Sequence, residues 1–132
     1  MQKIILIVGL PGSGKTTLGK NLAQSGILID DISKFGLDRL IVSLNEFSTI
    51  VVTDCFLCLE KEREKAISFF KSKNIESIDW IFFENNPDKC LKNIQYRNDG
   101  RKVEGLIHML SRLYTIPDDI IPKTIWTNLD LN

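Results

Sequence analysis

One histidine and an odd count of three cysteines leave this chain short of soft metal ligands and of disulfide partners. An odd cysteine count argues against a secreted disulfide framework. Cys55 and Cys58 form a C-x-x-C pair, but a closed zinc site takes about four ligands. Cys90 and His108 alone are left to complete one, so the thiols are expected to be buried and free, and His108 to lie on the surface. Neither sign of charge is in excess: 17 Lys and Arg face 17 Asp and Glu, for a formal net charge of zero. That balance excludes a broad basic face for non-specific nucleic-acid binding but leaves room for a local patch. No apolar run approaches the roughly 20 residues of a membrane span, and the N-terminal apolar run lacks a signal-peptide cleavage pattern. A soluble, cytoplasmic protein with no membrane partner is expected.

Hydrophobic residues make up 43% of the 132 positions, enough for the core of one domain over residues 1–132. Short apolar, β-rich runs alternate with helical patterns along the whole chain. "KIILIV" at 3–8, "ILI" at 27–29, "TIVVT" at 49–53, "IDWIFFE" at 78–84 and "TIWT" at 124–127 read as strands, the first being apolar from Ile4 to Val8, as in a parallel sheet covered on both faces. Helices are expected over residues 14–24, ended by Gly26, and around Leu37, Leu40, Ile41 and Leu44, spaced i, i+3, i+4, i+7. Further helices are expected at 60–73 with Ala66, Ile67 and Phe70 inward, at 87–97 behind an Asn86 cap and Pro87, and along the stripe from Val103 to Tyr114. The mixed-sign run Glu60–Lys65 reads as a solvated helix face, and Trp80 and Trp126 as core. Alternation of this kind means an α/β fold with a parallel sheet and helices on both faces. In such sheets ligands bind at the carboxyl ends of the strands, where this chain has residues 9–16, Asp30 and Asp31, Asp54, and Glu84.

Gly9-Leu-Pro-Gly-Ser-Gly14-Lys15-Thr16 satisfies G-x-x-x-x-G-K-[ST] at every fixed position, with a strand before it and a helix after it. Glycines let successive backbone N–H groups turn toward one point, and the helix N-terminus adds its dipole. Gly9, Pro11, Gly12, Ser13, Gly14, Lys15, Thr16 and Thr17 thus form an anion cradle for a nucleoside triphosphate. Lys15 supplies charge to the β- and γ-phosphates, and the Thr16 hydroxyl suits Mg²⁺. Asp54 closes a strand in the manner of a Walker-B aspartate, placed to hold Mg²⁺ through water or to touch an acceptor; the alternative is a cap on the next helix. Arg97 and Arg101 bracket the turn signal "NDG", as befits a hinged lid whose guanidiniums close on phosphates. Asp30 and Asp31 are adjacent, so in an extended segment they point to opposite faces. One is placed to act as a general base toward Lys15, Asp31 being preferred, or one caps the helix near Ser33. The guanine-reading order N-K-x-D of a regulatory GTPase is missing. Carboxylates at strand ends and late arginines suit transfer of the ATP γ-phosphate to a hydroxyl.

"IILIVGLPGSGKTT", "LIDDISK", "IVVTDCFL" and "FFENNPDKCLKNIQYRNDGRKVEGLIHMLSRLYTIP" occur in an order that resembles the P-loop kinases related to bacteriophage polynucleotide 5′-kinase. The resemblance covers most of the chain. It implies a three-layer P-loop NTPase fold with a five-stranded parallel sheet in the order 2-3-1-4-5, ATP and Mg²⁺ as cofactors, and a hydroxyl acceptor: a nucleic-acid 5′ end, a nucleotide or a small molecule. By the same resemblance Lys15 and Thr16 match the phosphate lysine and the metal-side hydroxyl, Asp31 the general base, Asp54 an acidic acceptor-site residue, and Arg97 the lid arginine, with Arg101 its substitute. Lys34 stands where the family carries an arginine that holds the acceptor's phosphate, replacing a fork by a point charge. A nucleotide-binding module that hydrolyses NTP and acts on a protein partner is the reading from another class. If adenine stacks on an aromatic ring, the "WTN" stretch at 126–128 offers one.

Overall fold

The structure, a computed structural model, describes residues 2–30, 37–98, 100 and 102–127. Strands β1 (Lys3–Val8), β2 (Ile27–Asp30), β3 (Thr49–Thr53) and β4 (Ile78–Phe82) form one sheet in the order β2-β3-β1-β4. All pairings are parallel. Helices α1 (Lys15–Leu22), α2 (Leu37–Glu46), α3 (Glu60–Ser72), α4 (Pro87–Arg97) and α5 (Glu104–Leu113) complete a three-layer α/β arrangement. β1 is central because it is apolar on both faces: Ile4 to Val8 are all buried, with Leu6 opposite Val52 on one side and Trp80 on the other. That register sets the ends of β1, β3 and β4 beside one another, so the loops that follow them share one edge of the sheet.

Helix boundaries follow local chemistry. α4 begins where expected, since Asn86 accepts from the Lys89 N–H and Pro87 needs no N–H partner in the first turn. α1 is shorter than the expected 14–24. It runs from Lys15 to Leu22, and the Ala23 N–H closes it on the Gly19 carbonyl.

The fifth strand does not form as a strand. A single parallel bridge joins Phe83 to Lys123, with Lys123 N–H on the Phe82 carbonyl and Glu84 N–H on the Lys123 carbonyl, both at 2.8 Å. Pro122 has no N–H to give, and β4 turns away after Phe83 to reach Asn86. Burial still alternates beyond the bridge: Ile125 and Thr127 are buried, so Trp126 points outward and is 68% exposed rather than in the core. Trp80 is half-buried and stacks on Phe82.

Two buried polar groups tie the helical layers to the strand ends. Arg63, in the run expected to be solvated, is buried and donates to the carbonyls of Leu57 and Cys58 and to Thr115 Oγ1, at 2.8 to 2.9 Å. Its guanidinium lies over the Phe82 ring. The carbonyls it serves close the 3-10 turn Cys55–Cys58, whose last groups lack partners of their own. Tyr114 donates its hydroxyl to the Phe83 carbonyl at 2.6 Å, and burial pushes its pKa above the ordinary tyrosine range. Ala66 and Phe70 face the core, whereas Ile67 is exposed. Cys58 and Cys90 are buried and Cys55 is half-buried, all three as free thiols, and His108 is exposed.

Tyr114→Phe removes the donor and leaves a buried carbonyl with one partner fewer. Urea unfolding is expected to show a loss of about 1–2 kcal/mol with an unchanged m-value; no loss would mean that packing alone holds the Phe83 turn.

Candidate functional site

β1 delivers the chain into a tight loop at Gly9, and α1 starts at Lys15. Gly12 at φ 86° and Gly14 at φ 102° are both left-handed, where a side chain would be strained. Gly12 is constrained twice, because a Cβ there would lie 2.6 Å from the Cys90 carbonyl of α4. The loop closes on itself through Ser13 N–H to the Leu10 carbonyl at 3.1 Å. No acidic residue occupies the first turn of α1, so the positive end of its dipole faces the cradle uncompensated by its own helix.

Lys15 is half-buried, and its ammonium donates to the Leu10 carbonyl at 3.0 Å. Burial lowers its pKa below the usual lysine value of 10.5; the nearby thiols Cys55, Cys58 and Cys90 and the Asp30 carboxylate act in the opposite sense. Burial also pushes the Cys58 thiol up to about 12 and the Cys90 thiol up to about 11, so both are neutral at neutral pH. The Asp30 carboxylate favours the charged ammonium, and an arriving anion would offset more of what desolvation costs it.

Two cavities flank the loop. The first, of about 520 Å³, is lined by Pro11, Gly12, Gly14–Thr17, Asp30, Thr53, Asp54, Cys55, Phe56, Arg97, Val103 and Leu106. The second, of about 680 Å³, is lined by Ser13, Gly14, Thr17, Leu18, Asn21, Phe83, Asn93, Arg97, Lys123, Thr124 and Trp126. Gly14, Thr17 and Arg97 belong to both. The buried Ser13 Oγ has no hydrogen-bond partner among the described residues.

The structure brings Lys15, Thr16, Asp30, Asp54 and Arg97 to one cavity from four separate elements or their ends. Asp54 lines the cavity and, through Oδ1, caps the 3-10 turn by accepting from the Phe56 N–H at 2.9 Å. Asp30 accepts from the Thr53 hydroxyl across the β2–β3 pair. Glu84, the other strand-end carboxylate, is taken up locally by Lys89 at 3.4 Å and by the Asn86 side chain. Asp31, Lys34, Arg101 and Asn128 lie outside the described residues.

Asn93 is a residue that the sequence reading missed. It is buried, and its amide nitrogen donates to the Gly12 carbonyl and to the Trp126 carbonyl, each at 2.9 Å. The buried residues of α4 are Cys90, Asn93 and Ile94. Arg97 follows Asn93 by one turn, and that i, i+4 pair of a polar residue and an arginine was the available signal.

Lys15→Met is expected to weaken triphosphate binding by about tenfold or more in titration calorimetry. The same variant is expected to raise the Tm of the nucleotide-free protein, because a desolvated ammonium is removed while Leu10 keeps its bond from Ser13. Asn93→Ala deprives two carbonyls of their donor. It should lower both Tm and nucleotide affinity, with the affinity loss recovered in Asn93→Gln only if the longer amide still spans both.

Residues 3–98 match the CobW/HypB/UreG nucleotide-binding domain. Over 121 residues the chain is 34% identical to an uncharacterized protein of Acanthamoeba polyphaga mimivirus, covering 87% of this chain and 88% of that one. Over 115 residues, 82% of this chain, it is 30% identical to a nucleotide-binding protein of Coprothermobacter proteolyticus, of which the match spans 39%. The fold is shared with a gluconokinase from Sinorhizobium meliloti 1021, at a TM-score of 0.60 and 12% identity over 94% of this chain and 80% of that one. It is shared also with APE1195, at a TM-score of 0.63 and 15% identity over 99% and 87%. A strand-loop-helix that satisfies the phosphate-loop pattern, set in a parallel sheet and matched by family, places this chain in the P-loop NTPases as a member of the CobW/HypB/UreG nucleotide-binding domain family.

Proposed function

We propose that the chain is an ATP-dependent phosphotransferase that moves the γ-phosphate to a hydroxyl acceptor. The observation that carries this reading is the make-up of the first cavity. The phosphate loop with Lys15 and Thr16, the Asp30 carboxylate and Arg97 all line it. Donor chemistry and acceptor chemistry thus meet in one space: cations for the transferring phosphoryl group, and a carboxylate for the hydroxyl proton. The second cavity, which shares Gly14, Thr17 and Arg97 with the first, suits the nucleoside end of ATP, with the exposed Trp126 ring and the unpartnered Ser13 hydroxyl on its walls. The resemblance of the late sequence blocks to the phage polynucleotide 5′-kinase group supports the same chemistry.

Thr16 and Asp54 line the cavity together and offer hydroxyl and carboxylate oxygens, the hard donors that Mg²⁺ takes. They would hold the ion, directly or through water, and the ion would offset charge on the β- and γ-phosphates. Lys15 fixes the phosphates, and Arg97, on the last turn of α4, stabilises the γ-phosphoryl group in transfer. For the base, the reading has two adjacent carboxylates. Asp31 matches the phage-kinase pattern, and Asp30 lines the cavity.

A second reading is favoured by the family, which is defined by nucleotide binding and not by an acceptor. It is an NTP-hydrolysing module that acts on a protein.

γ-Labelled ATP with Mg²⁺ and an acceptor panel separates the two readings, with Lys15→Ala as blank. Label on an acceptor supports transfer; label released only as phosphate, at a rate no acceptor changes, supports hydrolysis. If transfer occurs, the true base is the position where Asp→Asn lowers kcat by about 100-fold or more. Full activity in both Asp30→Asn and Asp31→Asn would remove carboxylate catalysis from the proposal.

A further inference from the structure

Cys55 and Cys58 are the first and last residues of the 3-10 turn that follows β3. In a 3-10 helix the side chains at i and i+3 eclipse, and a rise of about 2 Å per residue sets their Cα atoms about 6 Å apart. A disulfide spans Cα separations of roughly 4.4–6.8 Å. The two thiols thus leave the backbone on one side of the turn, one above the other, at a spacing that a disulfide can bridge. The turn is held at both ends. Asp54 accepts from the Phe56 N–H at its start, and Arg63 donates to the Leu57 and Cys58 carbonyls at its close.

Exposure separates the two thiols. Cys55 is half-buried and lines the first cavity with Lys15 and the phosphate loop, whereas Cys58 is fully buried. Both sulfurs lie within electrostatic reach of the Lys15 ammonium and of each other. An accessible sulfur with a second sulfur poised behind it is the arrangement of a reversible oxidation site. The third thiol, Cys90, is buried and belongs to α4. The same turn also serves the nucleotide site, because Asp54 and Phe56 flank Cys55 and line the same cavity. Drawing the sulfurs to a bond of about 2 Å turns both side chains and pulls on the segment that carries Asp54 and Phe56.

We propose that Cys55 is an oxidation site resolved by Cys58, and that the disulfide they form beside the phosphate loop weakens nucleotide binding. The oxidant is a peroxide. With hydrogen peroxide, the Cys55 sulfur attacks one oxygen, the O–O bond breaks, and water leaves as Cys55 becomes a sulfenic acid. The Cys58 sulfur then attacks the Cys55 sulfur and the S–O bond breaks. The hydroxide released takes the Cys58 proton and leaves as water. Two thiols lose two electrons and two protons in all, and one peroxide is reduced to two waters. Nucleotide and disulfide disfavour each other, and by linkage they do so by the same factor in both directions. The proposal concerns binding at the phosphate loop and is independent of phosphoryl transfer.

Peroxide treatment of the reduced full chain, with and without Mg²⁺ and a non-hydrolysable ATP analogue, tests this by alkylation and mass spectrometry. Trypsin leaves Cys55 and Cys58 on one peptide, residues 40–61, and Cys90 on another. The 40–61 peptide is expected to lose two hydrogens and to regain them with dithiothreitol. The analogue at about ten times its Kd should slow that loss about tenfold, since the free form is the one that reacts. Calorimetry should show the oxidised chain binding the analogue several-fold more weakly, with affinity restored by dithiothreitol. Cys58→Ala should stop the disulfide and leave a Cys55 sulfenic acid that dimedone captures, whereas Cys90→Ser should leave disulfide formation unchanged. No disulfide within the 40–61 peptide, a bridge through Cys90, or an oxidised chain with unchanged affinity overturns the proposal. Loss of the cooperative thermal transition on oxidation also overturns it, because unfolding would then account for the weaker binding. Failure of label transfer in the ATP assay removes the phosphotransferase reading and leaves this proposal standing.

Discussion

Close packing of α4 on the phosphate loop is the contact from which the site's arrangement follows. Gly12 has no side chain, so the Cys90 carbonyl approaches to a distance that a Cβ would close to 2.6 Å. The Asn93 amide then bonds the Gly12 carbonyl from the same helix face. A loop that must keep its N–H groups turned toward an anion is in this way held from behind by a helix, and that helix ends at Arg97. The same amide reaches the Trp126 carbonyl. One buried side chain therefore links the loop, the arginine-bearing helix and the segment after the residue 83–123 bridge. Buried amides that use both donors in this way rigidify what they join.

The second constraint is the parallel sheet with β1 at its centre. Parallel pairing sets the ends of β1, β3 and β4 along one edge, and β2 pairs with β3 so that Asp30 lies beside Thr53. The cavity is thus a consequence of strand order. Lys15 feels the Asp30 carboxylate and three thiols because the ends of β2 and β3 and the helix α4 converge on the loop after β1. Desolvation of the lysine is the cost of this convergence, and an anionic ligand is its natural relief.

Arg63 and Tyr114 show how the edge is kept in place. Neither touches a cavity wall, yet one satisfies the carbonyls of the 3-10 turn that carries Cys55 and Phe56, and the other satisfies the Phe83 turn beside the loop. Arg63 also reaches Thr115, so the turn after β3 and the segment after α5 are joined across the apolar side of the cavity. Phe56, from that turn, and Val103 and Leu106, at the start of α5, line the same cavity.

Much of the fold was readable from local pattern. The phosphate loop, the four strands, the Asn86 cap and the α4 boundaries follow from period, propensity and spacing, which are properties of neighbouring residues. What failed did so where a distant partner outweighed the local signal. Trp126 reads as core by type but points outward because Ile125 and Thr127 take the inward positions. "TIWT" reads as a strand, but the one bridge on that segment, Phe83 to Lys123, lies just before it. Arg63 reads as solvated by its charged neighbours, but unpartnered carbonyls draw it inward. The sequence by itself determined that the chain forms a phosphate cradle on a parallel sheet, because a glycine loop between a buried strand and a helix has few other uses. Only the tertiary structure decided that Asp30 lines the cavity, that Asn93 holds the loop, and that one wall is apolar, because those facts depend on which strand ends and helix faces meet in space.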